Sequence, residues 1–116
     1  MRKLLFINPD PTLAAIYKRS LLQHFDVEET ESGLEGLRLA KLSHPEIIVS
    51  EYVLPDIAVS SLLQQLRRNP RHISTPVIIL SRRAPTVDAL NWGAQAWHRT
   101  AETGPELFAE SCLKFL

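Results

Sequence analysis

Glu46-Ile47-Ile48-Val49-Ser50-Glu51-Tyr52 contains the apolar run that predicts a central buried strand in this chain. Consecutive Ile and Val residues are typical of parallel strands that helices cover on both faces. Glu51 ends this run, so we expect its carboxylate at the carboxyl edge of the sheet, where the sites of α/β proteins form. The residues around Glu51 should therefore decide the function.

Apolar runs of strand length at residues 4–7 and 77–80, like the run at 47–49, alternate with segments of helical period. This alternation predicts an α/β fold, a doubly wound parallel sheet with helices on both faces. Shorter strands are expected at residues 27–30 and 94–99. We therefore predict five strands and five helices.

Capping residues predict where several of these helices begin. Asp10 precedes Pro11 as the N-cap of the first helix, and Ser32 opens the second in a capping-box pattern with Glu35. A short fourth helix is expected within residues 85–93. The residues expected to face the core are Leu13, Ile16, Tyr17 and Leu21 of the first helix and Phe108, Cys112, Phe115 and Leu116 of the last.

The charges of the chain balance, with 13 basic and 13 acidic residues. This balance removes the positive charge that a nucleic-acid or anionic-membrane binder needs, so we expect neither partner for a single domain over residues 1–116. The single cysteine, Cys112, cannot form an internal disulfide and favours a reducing compartment. The apolar run at residues 4–7 is too short for a signal peptide, and no run has membrane-spanning length. We expect a soluble, cytoplasmic protein.

Short landmarks occur at regular places along the chain: Asp10-Pro11, residues 32–37, residues 45–48, Leu54-Pro55-Asp56, residues 76–81, and Ala89-Leu90 followed by Gly93-Ala94. In order and spacing they resemble the receiver domain of bacterial two-component response regulators, over essentially the full chain. The resemblance implies a flavodoxin-like sheet with the strand order 2-1-3-4-5. We expect a domain from a longer regulator or kinase, with a natural single-domain protein as the alternative.

The resemblance assigns phosphorylation chemistry to the strand ends. In the family, an acidic pair ends the first strand and a phosphoaccepting Asp ends the third. A Ser or Thr ends the fourth strand, and Lys-Pro ends the fifth. The corresponding residues here are Asn8-Pro9, Glu51, Ser81 and Thr100-Ala101. Asn8 has no charge, Pro9 offers no side-chain ligand, and Thr100 lacks the fixed positive charge that stabilises a phosphoryl group in transit. We therefore expect weak or absent Mg²⁺ binding, impaired phosphorylation and no cofactor.

Glu51 carries its carboxylate about 1.5 Å farther from the backbone than an Asp would, which makes it a poor phosphoacceptor. Two roles stay open for it, a permanent imitation of a phosphorylated Asp and a structural carboxylate. We hypothesise that Arg82 pairs with Glu51 and obstructs the pocket, the alternative being that it points to solvent like Arg83. Ser81 keeps the family's sensing hydroxyl or bonds nearby backbone. Asp10 serves as a helix cap or in the pocket.

Trp97 occupies the position of the family's switch aromatic, and Trp92 lies near the end of the predicted fourth helix. Because Trp is enriched among interface anchors, the face of the fourth helix, fifth strand and fifth helix is a candidate contact surface. The alternative is that both Trp residues cover core. His98, in the same strand, is assigned to the same contact surface, as a hydrogen-bonded, partly buried residue rather than a metal ligand or a base.

The leading hypothesis is a pseudo-receiver, a protein-interaction module in signal transduction that is not an enzyme. Its partner would be another protein or a second copy, bound through the face just described, and fusion to an output or kinase domain is compatible with it. A second hypothesis is that the chain is a response regulator with a working phosphoacceptor, which a histidine kinase still phosphorylates. A third hypothesis is that the flavodoxin-like domain binds a small molecule or nucleotide at the strand ends. Against it, the segment Asn8-Pro9-Asp10-Pro11 is not a glycine-rich phosphate-binding loop.

Overall fold

Strands and helices alternate in the computed structural model, which describes residues 1–88 and 91–116. In chain order the elements are β1 (Lys3–Ile7), α1 (Pro11–Leu21), β2 (Asp26–Thr30), α2 (Gly33–Ser43), β3 (Ile47–Ser50), α3 (Val59–Arg68), a 3₁₀ helix (Pro70–His72), β4 (Val77–Ser81), β5 (Ala96–Arg99) and α4 (Pro105–Leu113). Within the described residues no helix is long and apolar enough to cross a membrane.

The sheet is parallel throughout and has the order β2-β1-β3-β4-β5, which confirms the strand order that the resemblance implies. Its register pairs Ile7 with Ser50 and Ser81 with Arg99. The carboxyl ends of neighbouring strands therefore finish at one edge. The residues that follow these strands meet there.

Helices cover both faces of the sheet and enclose two apolar cores. Alternate residues of a strand point to opposite faces, so Phe6 belongs to the core under α1 and α4, and Ile7 to the core under α2 and α3. Phe108 of α4 is fully buried and packs edge-on against the Tyr17 ring, with centroids 5.6 Å apart. Cys112 is buried in the same core, and burial raises the pKa of its thiol to about 12.

The first two helices begin where the capping residues predict. Asp10 Oδ1 accepts hydrogen bonds from two backbone N–H groups of the first turn of α1, both at 3.1 Å. Ser32 Oγ accepts one from the Glu35 N–H at 3.0 Å. The Glu35 side chain does not complete the capping box, because it accepts a hydrogen bond from Arg38 Nε at 2.8 Å instead.

The predicted number of five helices is wrong for the described residues, which form four α-helices. Of the predicted fourth helix, residues 85–88 and 91–93 are irregular or form turns, while Ala89 and Leu90 lie outside the described residues. The segment begins with a proline and two β-branched residues and ends at Gly93, whose φ is 101°. Residues of these types have low helix propensity.

Two residues that were predicted to face the core are exposed. Ile16 is 51% exposed and Leu116 is 39% exposed. Tyr17 points into the core, and at 3.6 residues per turn the preceding residue is rotated by about 100° around the helix axis. Ile16 therefore lies on the flank of α1. Leu116 follows the end of α4 and has no helix to direct it inward.

Candidate functional site

The carboxyl ends of β1, β3 and β4 form the site, because these strands are neighbours in the sheet. Glu51 follows β3, and its backbone N–H donates to the Ile7 carbonyl at 2.9 Å. Its Oε1 accepts hydrogen bonds from the backbone N–H groups of Tyr52 at 2.9 Å and Val53 at 3.3 Å. The same oxygen accepts a third from Ser81 Oγ at 2.5 Å. Three donors thus satisfy this half-buried carboxylate oxygen without a cation.

Ser81, the last residue of β4, connects Glu51 to the following loop. The residue is fully buried, and its Oγ donates to Glu51 while accepting a hydrogen bond from the Arg83 N–H at 3.2 Å. The hydroxyl therefore forms a hydrogen bond with nearby backbone, which is one of the two roles predicted for it. Its other partner is Glu51, the residue that the resemblance assigns to the phosphoacceptor position.

The hypothesised ion pair between Arg82 and Glu51 is wrong, since no charged nitrogen of Arg82 lies within 4.0 Å of that carboxylate. Arg82 Nη2 instead lies 3.1 Å from Asp10 Oδ2, and 73% of its side chain is exposed. Successive side chains of an extended segment alternate in direction, so Ser81 points to Glu51 and Arg82 points away, toward the start of α1. Asp10 consequently does two things: one oxygen caps α1 and the other binds Arg82.

Three further residues lie at the strand ends, as the resemblance implies: Asn8, Pro9 and Thr100. Their side chains offer few atoms that could bind a metal ion. The buried Asn8 uses Oδ1 to accept a hydrogen bond from the Asp10 N–H at 2.9 Å, and its Nδ2 is buried without a hydrogen-bond partner. Pro9 is half-buried and has no side-chain donor or acceptor. The Thr100 N–H donates to the Ser81 carbonyl at 3.0 Å, which fixes the start of the last loop.

This donor set does not fit the Mg²⁺ ion of the family's phosphorylation chemistry. Mg²⁺ favours carboxylate oxygens in a nearly ideal octahedron, whereas the Asp10 carboxylate is shared between α1 and Arg82. The Asn8 amide nitrogen is a buried, unpartnered group at this edge, and as a donor it suits an acceptor rather than a cation. Within residues 1–88 and 91–116, no three His, Cys, Asp or Glu side chains are grouped to hold a metal.

Tyr52, Trp92 and Trp97 form an aromatic cluster beside Glu51. The Tyr52 ring stacks on Trp92 with centroids 6.4 Å apart and an interplanar angle of 11°, and its centroid is 5.0 Å from that of Trp97. Trp97 Nε1 donates to the Arg83 carbonyl at 3.0 Å. All three rings are partly buried against the core under α2 and α3 and partly exposed. The sequence analysis missed Tyr52, although an aromatic residue directly after Glu51 was the available signal.

The predicted grouping of His98 with Trp92 and Trp97 is wrong, because His98 lies on the other face of β5, against Phe108, whereas both Trp residues pack on the core under α2 and α3. Its Nε2 is 3.0 Å from Ser111 Oγ, its Nδ1 is 3.3 Å from Thr103 Oγ1, and its ring meets Phe108 edge-on at 5.5 Å. Burial lowers the pKa of His98. The ring is hydrogen-bonded and partly buried, as predicted, and it helps to pack α4 on the sheet.

Asp56 attaches the loop after β3 to the start of α2, a role that the sequence analysis did not assign. Its carboxylate accepts hydrogen bonds from the Ser32 hydroxyl and from the backbone N–H groups of Gly33 at 2.9 Å and Leu34 at 3.2 Å. The Ser32 hydrogen bond, together with the backbone ones, lowers the pKa of Asp56. The Leu54-Pro55-Asp56 landmark thus fixes the loop that carries Tyr52.

No family model matches the chain. Among curated proteins, the chain is 29% identical over 82 residues to the DNA-binding dual master transcriptional regulator RpaA of Synechocystis sp., an alignment that covers 70% of this chain and 34% of that protein. It is 26% identical over 106 residues to Protein PilH of Pseudomonas aeruginosa, covering 90% of this chain and 87% of PilH. The chain spans less than half the length of most of the curated relatives it matches.

A solved structure, that of the chemotaxis response regulator CheY4 of Vibrio cholerae, superposes on this fold with a TM-score of 0.91. The superposition covers 100% of this chain and 99% of CheY4, at 19% sequence identity. At this level of identity the likeness shows a shared fold. The five-stranded sheet and the edge that carries Glu51 are parts of that fold.

Proposed function

We propose that this chain, which its homologues and its fold support as a CheY-like receiver domain of response regulators, is a pseudo-receiver that acts without Asp phosphorylation or Mg²⁺. It works as a protein-interaction module and not as an enzyme. The observation that carries the proposal is the 2.5 Å hydrogen bond from Ser81 Oγ to Glu51 Oε1. The hydroxyl that the family uses to sense a phosphoryl group already has a carboxylate as its partner.

The charges around Glu51 support the same proposal. Phosphoryl transfer depends on cations that stabilise the charge of the group in transit. Thr100 is neutral where the family has Lys, and the exposed Arg82 pairs with Asp10 rather than with Glu51. The Asn8 amide presents an unpartnered donor instead of a metal ligand. A phosphate donor would find no preorganised cation beside this carboxylate.

Two sets of contacts lead from Glu51 to the aromatic cluster. In the first, Ser81 Oγ bridges Glu51 and the Arg83 N–H, and the Arg83 carbonyl accepts from Trp97 Nε1 at 3.0 Å. In the second, Tyr52 donates its backbone N–H to Glu51 and places its ring against Trp97. In the proposed mechanism Glu51 substitutes permanently for a phosphorylated Asp by holding Trp97 in one position.

The aromatic cluster is the proposed contact surface for a protein partner. Trp and Tyr are enriched among the residues that dominate binding energy at interfaces. A cavity of about 330 Å³ adjoins Tyr52 and Trp92, with Leu54, Ile57 and Arg83 among its lining residues. Receiver domains interact with kinases and output domains in two-component systems, so a domain of such a pathway, in the same chain or in another, is the proposed partner.

Tryptophan emission tests the proposal, because Trp92 and Trp97 lie beside the site. The emission of the native chain should not change on titration with MgCl₂, relative to a NaCl titration of equal ionic strength. A variant that restores the acidic residues (Asn8→Asp, Pro9→Asp, Glu51→Asp) should respond with saturation, once circular dichroism has established that it is folded. A saturable response of the native chain that Glu51→Ala abolishes would overturn the proposal.

A further inference from the structure

A cavity of about 650 Å³ lies between α1 and the edge strand β2. It is on the face of the sheet that α1 and α4 cover, whereas the aromatic cluster packs on the other face. Glu51 and the residues that bind it are not among its lining residues. Cavities that bind small molecules usually have volumes of about 300–1,000 Å³, so this one can hold a small organic molecule.

The cavity forms because α1 packs against α4 and carries small side chains beside β2. Ala14 and Ala15 of α1 both line it. An alanine side chain ends at Cβ, so neither residue fills the space between the helix and the strand. Lys18 of α1 pairs with Glu29 of β2 at 3.2 Å, and this ion pair connects the two walls. Three larger apolar residues also line the cavity: Phe6, Pro11 and Leu22.

Asn8 brings a buried hydrogen-bond donor to the cavity wall. The residue lines the cavity and is only 3% exposed. Its Oδ1 accepts a hydrogen bond from the Asp10 N–H at 2.9 Å, whereas its Nδ2 is buried without a partner. A buried donor without an acceptor destabilises the structure that contains it. Because an amide NH₂ group can only donate, the group that would satisfy it is an acceptor oxygen of a ligand.

The charges that line the cavity balance. Two of its lining residues are basic, Lys18 and Arg19, and two are acidic, Glu29 and Glu31. The carboxylates offset the attraction of an anionic ligand to the basic residues, and the basic residues do the same for a cationic ligand. The lining therefore favours an uncharged ligand over a nucleotide or a phosphate.

We propose that the α1/β2 cavity binds an uncharged small molecule that carries an amide group on an apolar body. The carbonyl oxygen of the amide accepts the hydrogen bond that Asn8 Nδ2 lacks. The apolar body covers Ala15 and Leu22, which are exposed, and so removes apolar surface from water. The site does not depend on the proposed action of Glu51, because that carboxylate is no part of its lining.

An amide NMR titration of the isotope-labelled chain tests the site with benzamide and benzoate. The two probes have nearly the same shape, but benzoate is an anion. With benzamide, the signals of Ala14, Ala15 and Glu29 should shift with saturation and give a dissociation constant below about 10 mM, as expected for a molecule of this size. Benzoate should bind at least about tenfold more weakly, because two carboxylates line the cavity. EDTA in all samples keeps divalent cations out of the comparison.

Three variants locate the binding. Asn8→Asp keeps an acceptor for the Asp10 N–H but removes the donor, so it should weaken benzamide binding about tenfold or more. Ala15→Leu fills part of the cavity and should abolish binding, while leucine is readily tolerated in a helix. Gln64→Leu is the matched control, because it places the same side chain on an exposed position of α3, and it should bind benzamide like the native chain.

Several results would overturn the proposal. Shifts that do not saturate up to about 50 mM benzamide would show that the cavity has no such ligand. Equal affinities for benzamide and benzoate would contradict the preference for an uncharged ligand. Native affinity in Asn8→Asp would remove the role of the amide donor, and equal binding by Ala15→Leu and Gln64→Leu would place the probe elsewhere. Circular dichroism of each variant separates loss of binding from loss of the fold.

Discussion

Replacing Ser81 by alanine removes the hydrogen bond that connects the Glu51 carboxylate to β4. A hydrogen bond to a charged group contributes about 1.5–3 kcal/mol to stability. Glu51 is half-buried and keeps two backbone donors, and the Arg83 N–H, which loses its acceptor, belongs to an exposed residue. The loss should therefore lie toward the lower part of that range, at about 2 kcal/mol.

Urea unfolding, followed by tryptophan emission and far-ultraviolet circular dichroism, measures this loss. With a slope of about 1–3 kcal/mol per molar for a small domain, the unfolding midpoint of Ser81→Ala should fall by about 1 M. Ser60→Ala is the matched control, because Ser60 is half-buried and its hydroxyl makes no hydrogen bond among the described residues. That variant should remain within about 0.5 kcal/mol of the native chain.

A double-mutant cycle isolates the bond between the two side chains. The free energies of unfolding of Ser81→Ala, Glu51→Ala and the double variant should give a coupling energy of about 1–2 kcal/mol. Additive effects, or a Ser81→Ala variant as stable as Ser60→Ala, would refute the reasoning. In either case the hydroxyl would not hold the carboxylate, and the path from Glu51 to Trp97 would be broken at its first step.

Three further predictions concern the rest of the fold. The lowered pKa of Asp56 means that its stabilising contribution is present above its ordinary pKa of 3.8 and is lost as the pH falls through the lower native value. The difference in unfolding free energy between the native chain and Asp56→Ala should thus shrink in acid, and a difference independent of pH contradicts this. Phe108→Ala should cost about 3–5 kcal/mol in calorimetry, because the ring is fully buried; a loss below about 1 kcal/mol would show a poorly packed core. The Cys112 thiol, buried and with its pKa raised to about 12, should react with a disulfide reagent at least about 100-fold more slowly than in urea, and equal rates would place it at the surface.

The buried strands and the helix starts were predictable because the signals that determine them are local, whereas the strand order came from the resemblance to receiver domains. The run from Ile47 to Val49 is apolar at every position, as a strand buried on both faces requires. Asp10 and Ser32 cap the helices that follow them, and capping depends on residues only a few positions apart. The predicted fourth helix rested on a proline and a glycine alone, and Thr86 and Val87, which follow the proline, have low helix propensity.

The arrangement of the site was harder to predict because it depends on the direction of side chains across neighbouring strands. Sequence placed Arg82 next to Ser81 and so near Glu51, but the alternation along the extended chain turns Arg82 toward Asp10. The role of Tyr52 depends on contacts with residues far along the chain, which no local pattern reports.

The central claim is that the native chain does not accept a phosphoryl group, and an intact-mass spectrum tests it most directly. The chain is incubated with Mg²⁺ and a small acyl phosphate, beside a variant that restores the family's residues (Asn8→Asp, Pro9→Asp, Glu51→Asp, Thr100→Lys). We predict that the variant gains the mass of one phosphoryl group and that the native chain keeps its mass. A phosphoryl adduct on the native chain, formed under the same conditions and lost in Glu51→Ala, would contradict the account.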